Sequence, residues 1–482
     1  MTPVSTLAPR TTTAPAIGPS GPAGPSTGGS TSGGSAPARS STPTRPAPLE
    51  WAHECDPDSP ETGVVASQSP RSPRFIGLDA ARGLALIGMF AVHTISAETA
   101  DGNLSLAWAL SSGKASALFA ILGGVGMAFM TGRTRPPCSL PSWGRVALTP
   151  LVSGILILAI GLALGALVSI DDADVILPYL GLMFALSALL VPFGSVPLLT
   201  IGFGWAIVAP ILSYLLRTPL ETTPRSNLTI EQLLANPGGT LTSLMLTGFF
   251  PALTWMAYIC IGMGIGRADL SSRRVVAWLI AGGAALTTLT AMVTQVFITM
   301  GIRDQIAAQV RGHMTLEQFT EYLVWGGDGS LPTDSVWWLG INAPHTGTPL
   351  DLLYTSGIAL TVIGLMLALS VAIGPLLHIL AAPGSMTLTL YSAHLLLLAP
   401  LRELPDLAHF GIQVAVLTLF ALAWSSRFSR GPMEWLVWRV TRLVTPARTS
   451  SSRASSSPTL APQATGRAKA RGRHRAPRSA VR

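Results

Sequence analysis

The chain reads as an all-α, polytopic integral membrane protein with about ten transmembrane helices and disordered cytoplasmic tails, and three observations lead there. Of its 482 residues 49% are hydrophobic and only 11% charged, with a mean hydropathy of +0.48, whereas soluble domains carry roughly a quarter charged residues. Apolar runs of about 18 residues or more, long enough to cross a bilayer, recur along the sequence. The alternating segments of a transmembrane barrel do not.

Residues 1–72 are rich in Pro, Gly, Ser, Thr and Ala. Such a segment buries too little apolar surface to offset its chain entropy, which predicts disorder, and it lacks the apolar stretch of a secretory leader. Residues 73–300 form a first membrane region, 301–350 an extracytoplasmic loop and 351–445 a C-terminal membrane region. The remaining tail, 446–482, turns from Ser/Pro-rich to basic and ends KARGRHRAPRSAVR. Beside a membrane such a run favours anionic lipid over nucleic acid, so membrane lipids are the expected partners and no nucleic acid is. Cys55, Cys138 and Cys260 match neither a disulfide framework nor a metal-ligand spacing, and no metal is expected.

The spans fall at 77–96, 110–131, 145–168, 174–192, 196–216, 243–266, 274–300, 351–373, 384–400 and 411–426. Arginines flank alternate connections: Arg71 and Arg74; Arg133, Arg135 and Arg145; Arg267, Arg273 and Arg274; Arg427, Arg430, Arg439 and Arg442. The intervening connections are acidic or mixed, as at Asp171, Asp172 and Asp174. The positive-inside rule then places both termini in the cytoplasm of a multi-pass cell-membrane protein. Two long connections, 217–242 and 301–350, fall outside, and long loops in compact proteins tend to carry function.

Ionisable groups at membrane depth cost roughly 2.5–3.5 kcal/mol each on insertion scales, so each needs a reason. In LDAARGLALIGMFAVHTI, residues 78–95, Arg82 and His93 point within roughly 20° of each other, and Asp79 lies about 60° from Arg82. One helix face therefore carries an ion-pair-capable dyad at the cytoplasmic end and a titratable base at the outer end. The plainer reading makes Asp79 a cap, Arg82 a snorkelling side chain and His93 a structural histidine. Thr387, Tyr391 and His394 form a second polar stripe, on the ninth span, with His394 at the depth of His93. Lys114 and Ser116 open the second span, and His345 precedes the eighth. For Lys114 the plain alternative is an interfacial anchor, and for His345 an exposed loop histidine.

No Walker loop, HExxH, CxxC or G-x-S-x-G is present, and GGVG (123–126) and GMGIG (262–266) are read as close helix-packing sites. Glu98, five residues after His93, is placed to orient it as in an H-x4-acid dyad.

RFIGLDAARGLALIGMFAVH and GKASALFAILGGVGMAF resemble the opening of bacterial transmembrane proteins similar to heparan-α-glucosaminide N-acetyltransferase. APHTGTPLDLL, GSMTLTLYSAH and GPMEWLVWR resemble the companion C-terminal membrane region of unknown function found in those proteins. The resemblance covers 74 to about 443 and implies a membrane-embedded acyltransferase. In such an enzyme an acyl group, acetyl in the simplest case, passes from cytoplasmic acyl-CoA to a hydroxyl or amine acceptor on the outer side, such as a glycan or envelope component. The characterised enzyme uses a histidine in the loop after its first core helix. The corresponding loop here, 97–109, has none, and His93 is the nearest candidate, with His394 and His345 as alternatives. Acyl transfer needs a base or nucleophile, which histidine supplies. Arg82 with Arg133 or Arg145 would hold CoA phosphates, and Lys114, Tyr391 or Thr387 would face the thioester oxyanion. The first helix would then line a passage between donor and acceptor sites. The competing reading, from a different class, is a secondary transporter with an Asp79–Arg82–His93 proton relay.

Overall fold

The computed structural model describes residues 75–445 except 135, 138, 221–225, 311, 313, 325 and 327–330. Both tails expected to be disordered lie outside these residues, as do Arg71, Arg74 and Arg135. In chain order the helices are α1 (Ile76–Thr94), α2 (Leu106–Ser111), α3 (Lys114–Met130), α4 (Leu140–Gly165), α5 (Leu177–Leu186), α6 (Ser195–Arg217), α7 (Ile230–Ala235) and α8 (Pro237–Thr242). They continue with α9 (Ala252–Arg267), α10 (Arg273–Thr299), α11 (Ile302–Val310), α12 (Leu316–Val324), α13 (Pro349–Gly384), α14 (Thr387–Leu401), α15 (Asp406–Ser425) and α16 (Pro432–Val444). An isolated bridge pairs Glu98 with Leu104.

Each of the ten expected spans falls on a helix. Seven are long and apolar enough to cross a membrane: α1, the stretch Leu106–Met130, α4, α6, α10, α13 and α15. An eighth is broken, Pro237–Thr247 meeting Ala252–Arg267 at 57°. The other two, Leu177–Leu190 and Thr387–Leu401, are shorter apolar helices. At 1.5 Å per residue they reach roughly 21–23 Å, short of the hydrocarbon thickness of about 30 Å. Seven of the 10 residues of α5 and seven of the 15 of α14 are buried by neighbouring helices, so neither has to bridge lipid alone.

Between helices in lipid the driving force is close packing rather than the hydrophobic effect, and small residues permit it. Gly124 of α3 and Gly262 of α9 meet at the α3–α9 crossing, where a Cβ on either would press into the facing backbone at Ile259 or Ile121. The glycine runs do serve packing, as their sequence context predicts. α9 is the central helix, almost every residue buried, with α3 and α6 against it and α1 and α10 against α13. α10 presents Trp278, Leu289, Met292 and Val296 outward, an apolar surface that fits lipid.

α13 runs past the end expected at 373 because its backbone bends at Ile373 (φ −130°, ψ 33°) and then resumes. Pro375 explains the bend, since its ring removes a donor and crowds the preceding turn. The bend carries the second half of α13 across the start of α1, where Gly83 and Gly384 face each other's helix.

α16 is amphipathic and locks onto α14. Glu434 Oε1 accepts from the Leu388 amide at 2.7 Å, and Glu434 Oε2 from the Thr389 hydroxyl at 2.6 Å. A carboxylate on the first-turn amides of a helix complements its dipole. Burial nevertheless pushes the Glu434 carboxyl above its ordinary range, against the hydrogen bonds that lower it.

Candidate functional site

The break between α8 and α9 builds one wall of the site. After a π-helical turn over Ser243–Thr247, the chain leaves helical geometry at Gly248, and Phe249 and Phe250 project from the gap. Non-helical backbone at this depth is tolerated where it lines a cavity, and π turns often mark functional sites. Here the Phe249 amide donates to the Tyr179 hydroxyl at 3.3 Å. The cavity beside it measures about 270 Å³, and its lining includes His93, Tyr391, His345, Ser116, Phe249 and Phe250.

His345 is not the exposed loop histidine of the plain alternative. It is half-buried, with ring centroids 4.9 Å from Phe249 and 5.6 Å from Phe250. Its φ of 59° is a strained left-handed conformation for a non-glycine residue, of the kind concentrated at functional sites. The loop around it is tied down: Thr348 Oγ1 donates to the Ile341 carbonyl at 2.7 Å, and Asp351 Oδ2 accepts from the Gly347 amide at 2.9 Å.

The mouth carries Asp171, Asp172 and Asp174. Their loop is pinned by buried Asn227, which accepts from the Val175 amide at 2.9 Å and donates to the Val168 and Ala173 carbonyls at 3.1 and 2.9 Å. Asp172 pairs with Arg402, which holds that guanidinium above its ordinary pKa.

His93 Nδ1 lies 3.0 Å from His394 Nε2, and the rings, 11° apart in plane with centroids 5.2 Å apart, meet edge to edge through these nitrogens. His394 Nδ1 lies 2.6 Å from Gln413 Oε1, and Gln413 Nε2 lies 2.7 Å from His409 Nε2. Phe90 covers His394 at 4.2 Å. The helix therefore keeps His93 within a four-residue polar chain rather than as an isolated side chain. Glu98, expected to orient His93, is exposed, and His394 takes that place.

Tyr391 is buried, and its hydroxyl accepts from the Ile176 amide at 3.5 Å. Lys114 does not line the cavity; its Nζ donates to the Ser112 carbonyl at 3.4 Å, and its charge acts on Asp351. Thr387 is half-buried in the first turn of α14, about 10 Å below His394 along the helix, and is not part of the lining.

At the other end of α1, Arg82 Nη1 donates to Asp79 Oδ1 at 2.8 Å and Arg82 Nη2 to the Leu122 carbonyl at 3.4 Å. Asp79 sits inside the first turn rather than capping it. Arg133 lies over the Phe75 ring, 4.8 Å from its centroid, and its carbonyl accepts from Arg267 Nη1 at 3.1 Å. Arg145 is exposed near the start of α4. The passage expected along α1 is closed, because Leu86 and Met89, on the face joining Arg82 to His93, are both buried.

Gln413, His409 and the Phe249–Phe250 wall escaped the sequence reading. A signal existed for the first two: His409 and Gln413 are four residues apart on a largely apolar helix, the spacing that marked Thr387 and Tyr391.

Fold and site together define a multi-pass helical membrane protein with a histidine-lined cavity opening at one end. Residues 74–299 match the family model described as heparan-alpha-glucosaminide N-acetyltransferase, catalytic. Over that stretch the chain is similar to this acetyltransferase family. The match closes with α10, so His345, Tyr391, His394 and Gln413 lie beyond it. None of the curated proteins compared with the chain matches it.

Proposed function

We propose that this protein is a membrane-embedded acyltransferase. It moves an acyl group, acetyl in the simplest case, from cytoplasmic acyl-CoA to a hydroxyl or amine of an acceptor held in the cavity, a glycan or envelope component. The observation that carries this reading is the convergence of His93, His345 and Tyr391 on one cavity; the family match supports it. In the reaction the acceptor oxygen or nitrogen attacks the thioester carbonyl and gives its proton to His93. The carbon–sulfur bond breaks, and the thiolate leaves and takes up a proton. Tyr391 donates to the carbonyl oxygen as charge develops there. The donor arm enters by parting α1 from α3 at Leu86 and Met89, and Arg82 and Arg133 receive its phosphates.

The direct test is binding of acetyl-CoA to purified protein by calorimetry, followed by protein-dependent release of free thiol. Binding with slow thiol release to water is expected. No binding at millimolar donor would remove the acyltransferase reading and leave the transporter.

Orientation follows from the arginine bias, with Arg133, Arg273 and Arg274 cytoplasmic and the cavity mouth outside. A cysteine engineered at position 345 should react with a membrane-impermeant maleimide in intact cells, while cysteines in either tail are protected. The reverse pattern would invert the arrangement.

Arg82→Gln should raise the apparent KM for acetyl-CoA about ten- to a hundredfold, as loss of a charge-assisted contact worth about 1.5–3 kcal/mol does, with kcat less affected. An unchanged KM with loss of folded protein would make Arg82 purely a partner of Asp79.

A further inference from the structure

The chain from His93 to His409 has a direction. Neutral imidazole has one donor and one acceptor nitrogen, so a hydrogen bond at one ring nitrogen dictates the role of the other. Gln413 turns its carbonyl oxygen to His394 Nδ1 and its amide nitrogen to His409 Nε2. His394 must then carry its proton on Nδ1, which makes its Nε2 an acceptor. That acceptor takes the proton of His93 Nδ1, which leaves His93 Nε2 as a bare lone pair on the ring that lines the cavity. Reversing the amide would reverse every bond and turn His93 Nε2 into a donor, useless as a base. The observed sense needs His409 Nε2 as an acceptor, and the reversed sense needs it as a donor. Its Nε2 accepts from the amide when its proton is on Nδ1, and Asp406 and Asp172 are the carboxylates that act on this ring. Asp406 is itself held by the Ser96 amide at 2.7 Å, next to the end of α1.

We propose that Gln413, with its amide sense set by His409, is a positioning residue that holds His93 in the tautomer whose Nε2 accepts a proton from the cavity. This rests on the acyltransferase reading for its consequence in catalysis, but not for the tautomer itself. Neither residue lies in the matched stretch, which ends at 299; the C-terminal region would thus supply the part that makes His93 a base.

Two substitutions separate positioning from packing. Gln413→Met keeps the length and volume of the side chain but offers His394 no oxygen. Gln413→Glu offers an acceptor oxygen to His394 Nδ1 whether it is ionised or shares its proton with His409, and only a purely structural role would suffer more from it than from Met. In nitrogen-15 spectra of histidine-labelled protein, assigned by difference from His93→Asn, the His93 Nε2 signal is expected in the unprotonated, pyridine-like range for wild type and Gln413→Glu. In Gln413→Met it should move toward the protonated, pyrrole-like range. In the thiol-release assay Gln413→Met should lose kcat about 10–100-fold, the usual cost of removing a group that orients a functional histidine, with KM for acetyl-CoA unchanged and most of the loss restored in Gln413→Glu. A His93 signal identical in all three proteins, or Gln413→Glu as impaired as Gln413→Met with the same spectrum, overturns the inference. A wild type that transfers no acyl group yet gives the expected spectra refutes the acyltransferase reading alone.

Discussion

Replacing His93 by Ala is expected to abolish acyl transfer while acetyl-CoA binding survives. The ring lines the cavity and keeps one nitrogen not used by His394, so its loss is expected to act on the chemical step. Removing a general base costs about 10²–10⁴-fold in rate, and more if His93 also carries the acyl group. His93→Asn is the sharper variant, because its amide stands near the position of Nδ1 and can keep the bond to His394 while the base is gone. It should be as inactive as His93→Ala but better folded. His394→Ala should be milder, since His394 touches the reaction through His93, and His345→Ala should raise the KM for the acceptor from its place across the cavity. Measuring kcat and both KM values for the set decides the matter. A fully active His93→Ala protein beside a dead His394→Ala or His345→Ala protein would move the chemistry to the other residue.

Gly384→Leu is expected to give the largest loss of stability. At the α1–α13 crossing a Cβ on Gly384 would run into the Asp79 carbonyl and the Gly83 amide, and a Cβ on Gly83 into the Leu380 carbonyl. Those obstacles are backbone and cannot swing aside as a side-chain end can. Overpacking typically costs 1–3 kcal/mol, occasionally more, and with backbone on both sides about 3 kcal/mol is the expected scale. The helices would have to separate at Ala80, Ala81 and Ala381, which are buried there. Gly282→Leu is the control: a Cβ there meets nothing within 4 Å, and replacing a helical glycine gains up to about 1 kcal/mol. Thermal unfolding in detergent and size-exclusion profiles should show Gly384→Leu unfolding early and eluting broadly while Gly282→Leu matches wild type. A wild-type melting curve for Gly384→Leu would mean that the crossing relaxes without cost.

Much of the fold was legible because hydropathy and helical period are local properties. Ten apolar stretches became helices, and the glycines in GGVG and GMGIG became contact points. Only two spans came out too short, and one break was unforeseen: the bend at Gly248–Pro251 depends on Tyr179 and on what fills the gap, not on the hydropathy of the segment. The run of α13 through Pro375 is a similar case, since proline weakens a helix locally but packing on α1 decides whether it resumes.

For the site, the sequence by itself determined depth and face: His93, His394 and Tyr391 at one level, and Asp79 with Arg82 at the other. Helical rotation and rise fix these without knowledge of neighbours. Which side chains meet was decided only by the tertiary structure. His93 and His394 are 301 residues apart, and their contact depends on how α1, α14 and α15 cross. That geometry also brought His345 into the cavity, left Lys114 and Thr387 out of it, and closed the face between Arg82 and His93 with Leu86 and Met89. A period along one helix sets the direction in which a residue points; the opposing residue belongs to another helix, whose position is the summed outcome of every crossing in the bundle.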